Sequence, residues 1–419
     1  MSVRTTVLKN FFSLSFGQVA ARGLNFLAIA YLARILGSEG FGIISFAQAI
    51  LAYLMVFSTL GLDLFGTREI AANHKIKKSL FIGNLLSLRV GLALVCILGL
   101  GIFVLTINKS SLEKEVIFAY GLYLFPFVFY LGWVFCGIER MEYIGLAAIL
   151  SRLAFLATVV ILIKDPSNVI FVPYLWFTAA GVESLFLIFS YRKFGSIKLN
   201  VRLPEWKVFI KDSVWIGISI FLLQIYSNFD MVMLGFMKTN HEVGLYSAAY
   251  KLILFMVAIG SFYNNSVFPL ISRYAKESKP KLKRLVSKNI AFIWMIGIGL
   301  WLVLFLFAPQ LILLAYGDKY MGSVPAFQIL SLTIVIGIIR LIYSSVLVAF
   351  NKIRQSLFGV GIGSLINVSL NFLLIPRYGI MGAAVATVIG EIIITVLIAN
   401  IALKLLRTEN DSPSMTQEA

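Results

Sequence analysis

The stretch VWIGISIFLLQIYSNFDMVMLGFM, from Val214 to Met237, decides the fold. It contains a single charged residue, Asp230, and ends only at Lys238. A helix rises about 1.5 Å per residue, so a run of this length crosses the roughly 30 Å hydrocarbon core of a bilayer. The stretch therefore predicts a transmembrane helix. Asp230 inside it predicts a carboxylate that is either paired or functional, because an isolated charge is unfavourable at that depth.

Similar apolar runs recur along the whole chain. Of its 419 residues 60% are hydrophobic and 13% are charged, whereas soluble domains average about 25% charged residues. A transmembrane β-barrel would show short alternating segments, and these runs are continuous, so we predict an all-α integral membrane protein. About twelve transmembrane helices are expected, with centres near Phe26, Ala52, Ala93, Tyr123, Phe155, Phe177, Phe221, Met256, Gly297, Ile336, Ile366 and Ile392.

Basic residues predict the orientation. With both termini in the cytoplasm, most of the 36 Lys and Arg residues fall on the inner loops, as the positive-inside rule requires. The net charge of +17 then reflects topology and attraction to lipid headgroups, and no nucleic-acid partner is expected. Two cysteines and two histidines offer no cluster with metal-ligand spacing, so no metal site is predicted.

The chain repeats weakly at half its length. GFGIISFAQAI (40–50) resembles EVGLYSAAYKL (242–252), and Gly42 matches Gly244 as Ser45 matches Ser247. Six spans per half is an even number, so both halves face the same way, which is typical of transporters that handle substrate between their halves. The predicted domains are an N-terminal six-helix bundle (1–200), a C-terminal six-helix bundle (201–408) and a polar tail (409–419).

Polar residues at helical spacing line several spans, which predicts a hydrated cavity. A simpler alternative is that Asn, Gln and Ser side chains hold helices together. The candidate substrate-binding residues are Arg22, Arg340, Lys251, Gln18, Asn25, Gln224, Asn228, Asn367 and Asn371. The candidate coupling or gating residues are Asp230, Glu391 and Glu183.

The intramembrane arginines fall into two classes. Arg22 and Arg340 lie near mid-membrane on polar stripes, one in each half, and are our candidates for binding an anionic group; the alternative is that both are structural. Arg89 and Arg152 lie nearer the predicted cytoplasmic ends and are expected to extend toward the headgroups.

Asp230 has a predicted partner. It precedes the outer end of the seventh span by about eight residues, and Lys251 follows the start of the eighth span by a similar number. Adjacent antiparallel helices would place both side chains at the same depth, about 12 Å into the membrane. We therefore expect an ion pair between Asp230 and Lys251.

Four motifs resemble a known family. They are RILGSEGFGIISFAQA, GLDLFGTREIAA, SNFDMVMLGFMKTNHEVGLYSAAYKL and INVSLNFLLIPRYGIMGAAVATVIGE. In order and spacing they resemble the O-antigen and capsule-type polysaccharide flippases of the multidrug/oligosaccharidyl-lipid/polysaccharide (MOP) exporter superfamily. The resemblance implies a MATE-like fold, with two parallel six-helix bundles around a central cavity.

The same resemblance implies a function. Such proteins flip undecaprenyl-pyrophosphate-linked oligosaccharides from the inner to the outer leaflet of the bacterial inner membrane, without catalysis or a cofactor, and with Na+ or H+ as candidate coupling ions. Partners would be the lipid-linked oligosaccharide, membrane lipids, and a polysaccharide polymerase and chain-length regulator. One alternative is a cation-coupled multidrug exporter of the same superfamily. A membrane enzyme of glycan assembly is disfavoured because the outer loops are short.

Overall fold

A computed structural model describes the backbone of residues 3–72 and 77–407, and the side chains of these residues except 3–16, 18, 258, 259, 261 and 262. Over these ranges the regular secondary structure is helical, without a strand. Two 3-10 helices occur, at Pro166–Phe171 and Asp318–Ser323. The α-helices are α1 (Val3–Thr59), α2 (Leu62–Ala72), α3 (Lys78–Thr106), α4 (Ser111–Gly121), α5 (Leu124–Val128), α6 (Gly132–Gly137), α7 (Met141–Leu162), α8 (Val172–Tyr191), α9 (Leu203–Met237), α10 (Asn240–Glu277), α11 (Lys279–Leu306), α12 (Ala308–Tyr316), α13 (Val324–Ala349) and α14 (Ile353–Arg407).

The predicted spans correspond to these helices. Among the described residues, nine helical stretches are long and apolar enough to cross a membrane. Two of them, Val19–Ala72 and Ile353–Arg407, each contain two predicted centres, and α10 holds the centre near Met256. Of the twelve predicted centres, only Tyr123 lies outside a helix, in the turn between α4 and α5. The prediction of an all-α integral membrane protein is confirmed.

Glycines make the sharp bends inside the two longest helical runs. Gly37 in α1 has a φ of 67° and Gly379 in α14 has a φ of 53°. A residue with a side chain is unfavourable in this left-handed region, whereas glycine adopts it readily. Each of these glycines therefore lets one continuous run supply two spans.

The described residues form two compact units. Unit 1 holds residues up to Ala248 together with Leu313–Gly322, and unit 2 holds Ala249–Ile312 together with the residues from Ser323 onward. In unit 1, α1 packs against α3, α4, α7 and α9; in unit 2, α13 packs against α11 and α14. Helix α9 belongs to unit 1, whereas the predicted boundary at residue 200 would place it in the C-terminal bundle. The division into two six-helix bundles stays a prediction. The predicted tail, 409–419, lies outside the described residues.

Two spans in unit 1 are broken rather than continuous. Leu60 and Gly61, with φ angles of 45° and 78°, separate α1 from α2. The fourth span is divided into α4, α5 and α6, and residues 129–131 between α5 and α6 are not helical. Carbonyl groups released by such breaks need other partners, because hydrocarbon supplies none.

Arg89 of α3 supplies those partners. Its side chain is fully buried. It donates to the carbonyl oxygens of Phe127 at 3.1 Å and Tyr130 at 3.3 Å, and it forms an ion pair with Asp63 of α2 at 3.0 Å. The expectation that Arg89 extends to the headgroups was wrong, because the broken fourth span places acceptors beside it. Arg152 stacks over the ring of Trp176, with its Cζ 4.8 Å from the ring centroid. Its expected extension toward the headgroups stays a prediction.

The substitution Arg89→Met should destabilise the protein. It removes the donors to two carbonyls, and a buried polar group left without its partner costs about 1–3 kcal/mol. Asp63, whose side chain is 37% exposed, also loses its ion pair. We expect a lower midpoint of thermal unfolding in detergent and less protein in the membrane. Arg68→Met is the control, because Arg68 is 59% exposed and forms its ion pair with the adjacent residue Glu69. Equal midpoints and abundance for both variants would contradict this role of Arg89.

Candidate functional site

Arg340 and Glu391, predicted separately, form an ion pair in unit 2. The Nε of Arg340 on α13 lies 2.6 Å from Oε1 of Glu391 on α14. The arginine side chain is 24% exposed and the glutamate side chain 5% exposed. Gly337, one turn before Arg340, leaves room for the carboxylate, since a Cβ at that position would lie 3.3 Å from Oε1. The arginine is thus the accessible partner of this pair.

Two buried asparagines lie on the same helical run as Glu391. The Asn371 amide donates to Oδ1 of Asn367 at 3.0 Å, and both side chains are nearly inaccessible. Nδ2 of Asn367 and Oδ1 of Asn371 have no hydrogen-bond partner. Asn367 packs against Gly390, the residue before Glu391. We call Arg340, Glu391, Asn367 and Asn371 the C-terminal polar cluster; it retains hydrogen-bonding capacity for a polar ligand or water.

Four further candidate residues of unit 1 lie on α1 and α8. Arg22 is exposed on α1, and Oδ1 of Asn25 is buried without a hydrogen-bond partner. Glu183 is half-buried on α8. The side chain of Gln18 lies outside the described residues. The roles predicted for these four residues stay predictions.

Two polar residues of the seventh span, Gln224 and Asn228, pair within α9. The Asn228 amide donates to Oε1 of Gln224 at 2.9 Å, and both side chains are half-buried. The predicted stripe on this helix is therefore internally hydrogen-bonded, while both side chains keep some accessible surface.

Asp230 is accommodated by hydrogen bonds inside unit 1. Its side chain is 3% exposed. The hydroxyl of Tyr246 on α10 donates to Oδ2, and the backbone N–H of Met231 donates to Oδ1 at 2.7 Å. Sequence reasoning missed Tyr246, which a hydropathy pattern treats as apolar. The predicted pairing of Asp230 with Lys251 stays a prediction.

Residues that match between the two halves of the sequence touch each other in unit 1. Ser247 Oγ donates to Ser45 Oγ at 2.6 Å, and both residues are buried. A Cβ on Gly42 would lie 1.8 Å from the carbonyl oxygen of Asn240, and a Cβ on Gly244 would lie 1.9 Å from that of Ser38. We call this crossing of α1 and α10 the repeat contact. The glycine and serine matches in the repeat were the signal that could have predicted it.

A second connection in unit 1 joins α1 to residues 313–322. Tyr320 donates to the carbonyl oxygen of Ala33 at 2.9 Å. The guanidinium of Arg34 donates to the carbonyl oxygens of Leu314 and Ala315 at the end of α12, where a cation also interacts favourably with the helix dipole. Sequence reasoning missed this connection, because no pattern in a short loop identifies its packing partner.

Two family models match the chain. The polysaccharide biosynthesis protein model matches residues 7–275, which is more than half of the length. The MatE model matches residues 216–373. A protein of Escherichia coli (strain K12) named as an O-antigen transporter is 26% identical over 383 residues, covering 89% of this chain and 91% of that protein.

Solved structures share the fold. An inward-facing multidrug resistance MATE family transporter of the MOP superfamily matches with a TM-score of 0.75 and 16% identity, covering 93% of this chain and 96% of that chain. The lipid II flippase MurJ, in an inward closed conformation, matches with a TM-score of 0.75 and 14% identity, covering 94% of this chain and 88% of that chain. These TM-scores show a MATE-like fold. The resemblance inferred from the four motifs is confirmed. The chain belongs to the polysaccharide biosynthesis protein family.

Proposed function

We propose that this protein flips undecaprenyl-pyrophosphate-linked oligosaccharides from the inner to the outer leaflet of the bacterial inner membrane, for O-antigen, capsule or exopolysaccharide assembly. The observation that carries the proposal is the similarity to an O-antigen transporter over nearly the full length of both proteins. The work is transport rather than catalysis. A polysaccharide polymerase and a chain-length regulator are the partners expected to take the product.

The cargo requires two kinds of chemistry. Its diphosphate must exchange water for other donors, and a guanidinium can hold phosphate oxygens bidentately where an ammonium acts as a point charge. Arg22 and Arg340 are our candidates for that role, with Lys251 as a further cation. The sugar hydroxyls need amide partners, and the candidates are Gln18, Asn25, Gln224, Asn228, Asn367 and Asn371.

Alternating access would move the cargo, and the repeat contact supports a gate. Gly42 lies just after the bend of α1 at Gly37, and Gly244 lies near the start of α10. Both are close to Ser45 and Ser247, on the side of the membrane that the basic residues predict to face outward. Small residues allow a close helix crossing without interlocking side chains, which suits a contact that opens and closes. We propose that this contact opens in the outward-facing state, with Asp230 and Glu183 as gating or coupling residues and Na+ or H+ as the coupling ion.

The second candidate function is cation-coupled export of amphipathic drugs. The match of the MatE model to residues 216–373 favours it. Drug cargo of this kind is usually cationic, and the five basic residues within spans outnumber the three acidic ones, which favours an anionic cargo. Loss of drug resistance on gene deletion, with surface glycan unchanged, would establish this alternative.

Deletion of the gene should abolish the surface polysaccharide and leave lipid-linked repeat units in the inner leaflet. Wild-type protein should restore export, whereas Arg22→Ala and Arg340→Ala should not, because the diphosphate then lacks its bidentate donors. Arg22→Lys should restore export only partly. Surface glycan and membrane abundance are measured together. Full export by Arg22→Ala, or a loss explained entirely by missing protein, would exclude Arg22 from the substrate site.

A disulfide between Ser45→Cys and Ser247→Cys should lock the proposed gate. Their hydroxyl oxygens lie 2.6 Å apart, close to the length of an S–S bond of about 2.05 Å. In a background with Cys96 and Cys136 replaced by serine, we expect oxidation to stop glycan export and reduction to restore it. Each single cysteine variant serves as the control. Complete crosslinking with undiminished export would contradict opening at the repeat contact.

A further inference from the structure

The arginine proposed to bind the diphosphate already has an anionic partner. Glu391 lies 2.6 Å from the Nε of Arg340, and their exposed fractions differ, at 5% for the glutamate side chain and 24% for the arginine side chain. The arginine side chain is therefore the more accessible member of the pair. To gain the full guanidinium, an incoming anion must displace Glu391.

We propose that Glu391 is a specificity-determining residue, which keeps single phosphates of membrane phospholipids off Arg340 and yields only to a diphosphate. The inference rests on the proposed function, in which the cargo carries a diphosphate. It assigns Glu391 a role distinct from ion coupling, as the resting counter-ion of the substrate site.

The chemical problem is one of competition. Phospholipids surround the protein in great excess, and each phosphodiester head carries a single negative charge beside its acceptor oxygens. A diphosphate that links a lipid to a sugar carries two negative charges. An accessible arginine without a counter-ion would attract both, since guanidinium groups bind phosphate oxygens generally.

The ion pair between Arg340 and Glu391 discriminates between the two ligands. A phosphodiester that displaces Glu391 exchanges one single charge for another, and it separates a buried carboxylate from the guanidinium of Arg340, which is unfavourable. A diphosphate brings a second charge and more acceptor oxygens, so charge-assisted hydrogen bonds can offset that loss. Specificity then arises from an obstacle to the wrong ligand rather than from added contacts to the right one.

The residues around Glu391 leave room for its carboxylate and enclose it. Gly337 leaves space beside Oε1 of Glu391 on the α13 side. Asn367, on the first half of α14, packs against Gly390 and retains an amide N–H without a hydrogen-bond partner. The carboxylate is therefore enclosed by protein, while the arginine keeps an accessible edge.

The test measures lipid preference directly. Purified full-length protein in nanodiscs is titrated with a polyprenyl diphosphate and, separately, with phosphatidylglycerol, and binding is followed by native mass spectrometry. Wild-type protein should prefer the diphosphate. Glu391→Gln should lower the ratio of the two affinities by about tenfold or more, chiefly through tighter binding of phosphatidylglycerol.

Two further variants keep the test decisive. Glu277→Gln is the matched control, because Glu277 also pairs with an arginine Nε, that of Arg273 at 2.8 Å, but with a 48% exposed side chain; its ratio should equal that of wild type. Glu391→Asp keeps the charge at a shorter reach and should give an intermediate ratio, and it replaces Glu391→Gln if that variant fails to fold. A wild-type ratio in the Glu391 variants would overturn the inference. A wild-type protein without preference for the diphosphate would instead overturn the proposed cargo.

Discussion

The hydrocarbon core of a bilayer offers no hydrogen-bond partners, and the structure of this protein is organised around that constraint. Continuous helices satisfy their own backbone groups, but breaks in the second and fourth spans do not. Arg89 resolves the problem by donating to carbonyls of Phe127 and Tyr130 while it pairs with Asp63. Asp230 is tolerated by the same means, through Tyr246 and the N–H of Met231. Each buried charge in these examples has a specific partner, and the partners fix how neighbouring spans pack.

The sequence repeat has a physical consequence in unit 1. Glycines and serines at matching positions of the two halves meet at the repeat contact, with Ser45 and Ser247 in direct hydrogen bonding. These small residues let the backbones of α1 and α10 approach closely. The link from Arg34 to the end of α12 adds a second connection. This link, together with the hydrogen bond from Tyr320 to Ala33, explains why Leu313–Gly322 groups with unit 1.

Much of the fold could be predicted from the sequence, because hydropathy and length determine where helices cross a membrane. Partners were harder to predict. Arg89 was misassigned because its position along α3 indicates depth but not the break in the fourth span. Arg340 and Glu391 were each identified from their setting, yet their ion pair joins residues 51 positions apart, and no spacing rule on one helix connects them. Tyr246 was missed because a tyrosine inside an apolar run carries no polar signal.

In the proposed function, the protein moves a diphosphate-linked glycolipid between leaflets, with Arg340 as a binding residue. Reconstitution into liposomes tests it most directly, with a fluorescent polyprenyl-diphosphate oligosaccharide in both leaflets and a membrane-impermeant quencher outside. A flippase exposes the inner-leaflet pool to quenching, so we predict nearly complete quenching with wild-type protein and about half with Arg340→Ala. Half quenching with correctly folded wild-type protein, equal to that of empty liposomes, would contradict the account.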